Sequence, residues 1–86
     1  MSQLAQLKSQ LTQMAGDIEK TAGAISSFSS KFNSSIASVQ SSIGGAASSE
    51  DNDMIASFQQ ASQDVTSAAQ SLRAAADKAK SWAAKA

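Results

Sequence analysis

The bulky apolar residues in the first half of the chain are Leu4, Leu7, Leu11, Met14, Ile18, Ile25, Phe28, Phe32, Ile36, Val39 and Ile43, three or four residues apart with one gap of seven that Ala22 bridges. Spacing of three and four is the period of an α-helix, because a half-buried strand would alternate every second residue. One face is therefore apolar for about 40 residues, a helix of roughly 60 Å at 1.5 Å per residue. In heptad notation Leu4, Leu11, Ile18, Ile25, Phe32 and Val39 occupy a, with Leu7, Met14 and Phe28 at d. Later the stripe moves to e, at Ala22, Ile36 and Ile43. A straight helix drifts by about 20° per heptad against a seven-residue repeat, so this drift predicts a nearly straight helix.

The second half repeats the scheme with smaller side chains. Phe58, Val65, Leu72 and Ala79 fall at a, Met54, Ala61, Ala68, Ala75 and Trp82 at d, and Ile55, Ala69, Ala76 and Ala83 at e. Large residues on the first helix then face Ala on the second, an arrangement that lets two helix axes approach closely. On this reading Trp82 packs into the seam against Leu4 and Leu7. Ala, Ser and Gln dominate the composition and Pro is absent, which suits long helices.

Between the stripes lies Gly44-Gly45-Ala46-Ala47-Ser48-Ser49-Glu50-Asp51-Asn52-Asp53. The paired Gly after Ile43 predicts a helix end in the left-handed conformation. Ser48 and Asp51 have the spacing of a capping box. Glu50, Asp51 and Asp53 place negative charge at the positive end of the second helix dipole, and Arg73, Lys78, Lys80 and Lys85 crowd its negative end. The expected domain is one all-α antiparallel two-helix hairpin over residues 1–86, with helices at about 2–43 and 51–84 and a turn at about 44–50.

Eighty-six residues bury too little surface for comfortable stability alone, and the usual staples are missing, since Cys and His are both absent. Oligomerisation is the remaining route, and a four-helix bundle dimer is the expected assembly. Without His, Cys or Tyr, a hairpin with little concavity is not expected to be an enzyme, and no cofactor or metal site is expected. Formal net charge is zero, which argues against nucleic acid as a partner. Glu50-Asp51-Asn52-Asp53 lacks the Gly and distal Glu of a calcium loop, so it reads as capping charge. The basic stretch 73–85 reads as dipole compensation on a solvated face. Gly16 and Gly23 share position f, opposite the seam, and read either as tolerated Gly or as a close approach of a third body.

No apolar run is long enough to span a bilayer. Residues 21–43 combine an apolar face with a polar face almost free of charge, only Lys31 excepted, which is the pattern of helices that bind curved membranes. That membrane-curvature reading is one alternative, with membrane contact otherwise not expected; a filament or needle subunit is the other. The start Met1-Ser2-Gln3-Leu4 has no basic region and no continuous apolar segment of a secretory signal, so any export is expected by a route that reads no cleaved signal.

A Cys-free helical hairpin of this size, with Ile43, Gly44 and Gly45 at its turn, resembles the WXG family of type VII secretion substrates, the ESAT-like proteins. The family motif is Trp-x-Gly between two long helices; Gly45 matches its Gly and Ile43 stands where the Trp would be. The family's C-terminal Tyr-x-x-x-Asp/Glu signal has no counterpart, since the chain has no Tyr. The resemblance implies a homodimer or heterodimer of related hairpins and a role as secreted substrate, or as partner or adaptor of a larger secreted effector. Localisation is then outside the cell, or cytoplasmic before export. The residues expected at the partner interface are Leu4, Leu7, Leu11, Met14, Ile18, Ile25, Phe28, Phe32, Ile36, Val39, Phe58, Val65 and Leu72.

Overall fold

A helix needs its first N–H groups satisfied, and Ser2 does this for the third: its backbone is extended and its Oγ accepts from the Ala5 N–H at 3.1 Å. Helix α1 then runs unbroken over Gln3–Ile43. One 3₁₀ turn, Gly44–Ala46, follows, and α2 covers Ser49–Lys85. This computed structural model describes residues 2–46 and 48–86, and Met1 and Ala47, the latter within the expected turn, lie outside it.

Gly44 ends α1. Its φ of 73° is positive but its ψ of −161° lies far from the left-handed helical well expected of the Gly pair. That backbone region is essentially confined to Gly, so the turn depends on Gly44 alone; Gly45 has no positive φ. The Gly44 N–H closes on the Gln40 carbonyl. Ser48 and Asp51 make both bonds of a capping box, Asp51 N–H to Ser48 Oγ at 3.2 Å and Ser48 N–H to Asp51 Oδ2 at 3.0 Å. With that cap in place α2 starts at Ser49, so the turn is shorter than the charge pattern alone suggests. Glu50 and Asp51 lie in its first turn, and only Lys85 of the four basic residues reaches the last.

The helices are antiparallel. Cross-helix contacts join Glu19 to Lys80, Ser26 to Arg73, Ser29 to Thr66 and Asn33 to Ser62, so residue numbers rise in α1 as they fall in α2. The seam differs from the expected one. In α1 the covered positions are Lys8, Leu11, Ala15, Ile18, Ala22, Ile25, Ser29, Phe32, Ile36, Val39 and Ile43; in α2 they are Asp51, Ile55, Phe58, Ser62, Val65, Ala69, Leu72, Ala76, Ala79 and Ala83. Gly16, Gly23 and Ser26 of α1 are also partly covered; the rest are positions a and e, not a and d. Three-four spacing persists without drift to the turn, so the covered face of α1 keeps a seven-residue repeat.

Size explains the choice. The most buried positions in α1 are Ala15, Ala22, Ser29 and Ile36, and in α2 Ile55, Ser62, Ala69 and Ala76. Small residues therefore face small residues over most of the seam, where large against small was expected. The result is close backbone approach with no large side chain fully buried. The seam's two buried hydroxyls are satisfied: Ser29 shares a 3.3 Å hydrogen bond with Thr66, and Ser62 donates to the Asn33 amide oxygen.

The hairpin is a rod of 67 × 17 × 14 Å with a radius of gyration of 19.4 Å. A compact domain of this length would measure about 12 Å, so no central core exists and stability rests on one seam. Replacing Gly44 by Ala forces a side chain into a Gly-only conformation and is expected to lower unfolding free energy by about 1–3 kcal/mol, read by urea denaturation. Gly45→Ala is the control and should be near neutral. Gly16 and Gly23 have open space where a Cβ would stand, so Gly16→Ala and Gly23→Ala should each raise stability by about 0.5–1 kcal/mol.

Candidate partner interface

Since a and e form the seam, position d is left to one side of it. On α1 that row holds Leu7, Met14, Thr21, Phe28, Ser35 and Ser42, and on α2 Met54, Ala61, Ala68, Ala75 and Trp82. Relative exposure is 41% for Leu7, 49% for Met14, 54% for Phe28, 39% for Met54 and 45% for Trp82, with Leu4 beside them at 47%. Every large hydrophobic residue named as exposed is thus on the d row or next to its end. Two-fold packing of antiparallel helices brings both d rows to one side of the hairpin. Thr21, Ala24, Ile25 and Phe28 of α1 line a hollow of ≈ 330 Å³ with Val65 and Ala68 of α2, and its walls are almost wholly apolar.

Three aromatic rings tie this face to the seam. Phe28 stacks on Phe32 with centroids 5.6 Å apart and planes at 20°, and Phe32 meets Phe58 edge-on at 6.2 Å and 67°. Phe32 and Phe58 are half covered, whereas Phe28 projects outward.

The opposite edge of the seam is polar. There Glu19 pairs with Lys80, Arg73 donates to Ser26 Oγ at 3.1 Å, and the Asn33–Ser62 and Thr66–Ser29 bonds close the rest. The Lys80 ammonium is held above its ordinary pKa by its hydrogen bond to Glu19, which outweighs desolvation, with the charges of Glu19 and Asp77 adding to the rise. A raised cation contributes stability that is complete below its unfolded value and fades as pH climbs through the folded one, so this contribution vanishes only in strong alkali. Both partners are about half exposed, and the pair orients more than it stabilises.

The expected interface residues divide into three groups. Leu4, Leu7, Met14 and Phe28 are exposed on the open face. Leu11, Ile18, Ile25, Phe32, Val39, Phe58, Val65 and Leu72 are half covered by the other helix and present only an edge to it. Ile36 is 6% exposed and belongs to the hairpin's own seam. Met54 and Trp82 were not among the expected interface residues, and Trp82 is not packed into the seam as its spacing suggested. Reading the two e rows side by side would have found this, since Ala15, Ala22, Ser29, Ser62, Ala69 and Ala76 are the set that permits close helix approach.

At the turn, Ile43 is half covered and borders a shallow hollow with Gln40, Gly44, Asn52 and Ile55. Gly44, not Gly45, carries the special conformation there. Asp51 is engaged by the capping box, and among the described residues no cluster of three or more acidic side chains could hold a metal ion. Among the described residues no helix is long and apolar enough to cross a membrane.

The free area is large. A compact monomer of 8.8 kDa exposes about 4,800 Å². The hairpin exposes 6009 Å². The excess of about 1,200 Å² exceeds the roughly 800 Å² that each partner contributes to a standard interface. No family model, curated protein or solved structure matches the chain.

Overfilling the seam tests the assignment of positions. Ala22→Leu or Ala69→Leu puts a large side chain where the helices are closest and should destabilise the hairpin by about 1–3 kcal/mol. Ala61→Leu, on the d row, should leave the unfolding transition nearly unchanged. Equal losses at all three would contradict the a/e seam.

Proposed function

We propose that this chain is a non-enzymatic, WXG-like helical hairpin of type VII secretion, acting as secreted substrate or as partner of a secreted effector, and that a second helical hairpin docks on its d face to complete a four-helix bundle. The observation that carries this reading is the set of large exposed apolar residues on the open face, Leu7, Met14 and Phe28 on α1 and Met54 and Trp82 on α2, with Leu4 beside Leu7. Contiguous exposed apolar surface on a soluble helix pair marks a binding surface. The unsatisfied faces of two hairpins are what four-helix bundles bury.

The same observation favours a protein partner over a lipid surface. Of the apolar face on residues 21–43, Ile36 is nearly all covered and Ile25, Phe32, Val39 and Ile43 are covered in part, so only Phe28 stands free. A helix that inserts into a membrane interface would need that face uncovered. The Ile43-Gly44-Gly45 turn supports the family reading by position.

Phe28→Asp combined with Met14→Asp tests the docking surface. Both residues are exposed, so helicity by circular dichroism should be retained. Each lost burial is worth about 1.5–3 kcal/mol, so association should weaken at least 10- to 100-fold, read by light scattering or by capture of the cognate hairpin. Unchanged association would refute the surface. In the source cell, loss of the secretion ATPase should trap the chain, or the effector it accompanies, inside.

A further inference from the structure

The chain has no Cys, so all of its sulfur is in methionine. Among the described residues these are Met14 of α1 and Met54 of α2, and both stand exposed on the d row. The seam holds neither, since its apolar members are Leu, Ile, Val, Phe and Ala. Methionine is thus placed where solvent reaches it and where a docked hairpin would cover it.

A thioether is apolar and polarisable, and peroxide changes that. The sulfur lone pair attacks one oxygen of hydrogen peroxide, an S–O bond forms and the O–O bond breaks. The proton on the first oxygen passes to the second, which leaves as water; sulfur gives up two electrons and peroxide accepts them. The sulfoxide is polar. It returns to the thioether when a reductase removes the oxygen as water at the expense of two thiols, which become a disulfide. We infer that Met14 and Met54 are sites of reversible oxidation by peroxide, and that a sulfoxide at either one closes the open face to a second hairpin. The inference rests on the docking surface proposed above and adds how that surface is switched.

The fold keeps the change local. Neither sulfur belongs to the a/e seam or to the caps at Ser2, Gly44 and Ser48, so the hairpin stays folded while its face changes. The two sites divide the rod between them. Met54 lies near the turn, and Met14 lies towards the open end at about the level of Trp82, because Glu19 pairs with Lys80. An added oxygen at either level faces the apolar side chains of a docked hairpin. An unpaired polar group in such a place weakens binding by about tenfold. Docking shields both thioethers, so oxidation acts on free hairpins and holds them apart.

Hydrogen peroxide on the full-length chain tests this. Peptide mass spectrometry should find one added oxygen on Met14 and one on Met54, with helicity by circular dichroism retained. Light scattering reads association of the chain with its own copies or with a hairpin that co-purifies with it, and this should weaken about tenfold or more. Trp82, the one Trp, should then show the fluorescence of an exposed indole. Methionine sulfoxide reductases with dithiothreitol should restore association. Met14→Leu with Met54→Leu keeps an apolar face of similar volume, so this variant should associate as the parent does and not respond to peroxide. Met1 is common to both chains and cancels in the comparison.

Association that survives oxidation of both residues, yet is lost on Phe28→Asp, overturns the switch and leaves the docking surface standing. Equal sensitivity to peroxide in the double Leu variant overturns it too, because the effect then lies at another residue. So does loss of helicity on oxidation, which would make the sulfurs part of the fold. Association that is indifferent to Phe28→Asp, or absent from the reduced chain, overturns the docking surface and the switch together.

Discussion

The structure depends on how closely the two helix backbones can approach. Ala15, Ala22 and Ser29 on α1 and Ser62, Ala69 and Ala76 on α2 are small enough to let positions a and e interlock. Once e is inside, d must be outside, because the two positions lie on opposite flanks of a. Leu7, Met14, Phe28, Met54 and Trp82 are exposed for that reason, and not because the hairpin lacks room for them. Burial of the e rows and exposure of the d rows are thus two consequences of one packing choice.

Much of the fold is legible in the sequence. The three-four spacing from Leu4 to Ile43 leaves no alternative to a long helix, and Gly44 followed by Ser48 and Asp51 marks where the chain turns. The flank that is buried is less legible. Hydrophobicity ranks Leu7, Met14 and Phe28 above Ala15, Ala22 and Ser29, so periodicity alone draws the seam through d. Close packing reverses the order, since burying many small residues at short axial distance gains more contact than burying a few large ones at long distance. Ser29 and Ser62 were invisible for the same reason: their hydroxyls enter the seam only because Thr66 and Asn33 stand opposite, which is a property of the register. Trp82 was misplaced because its d position was read as core.

The ends of the helices are governed by local chemistry and owe little to the seam. Ser2, Gly44 and the Ser48–Asp51 box each satisfy backbone groups that a helix terminus leaves open. They fix where α1 stops and α2 begins, and thereby set which α2 residue lies opposite each α1 residue. A shift of one position there would carry Ser62 away from Asn33 and expose a different row. The turn therefore acts at a distance on the composition of the open face.

The two edges of the seam are unlike, and that asymmetry bears on how assembly would end. Position b holds Thr12, Glu19, Ser26, Asn33 and Gln40 on α1 and Asn52, Gln59, Thr66, Arg73 and Lys80 on α2, and several of these bond across the seam. That edge needs no partner. Were both edges apolar, each hairpin could bind one neighbour in front and another behind, and growth would have no natural limit. With large apolar side chains gathered on the d edge among the described residues, a hairpin docked as proposed would present its own polar edge outward, and an isologous pair would close on itself.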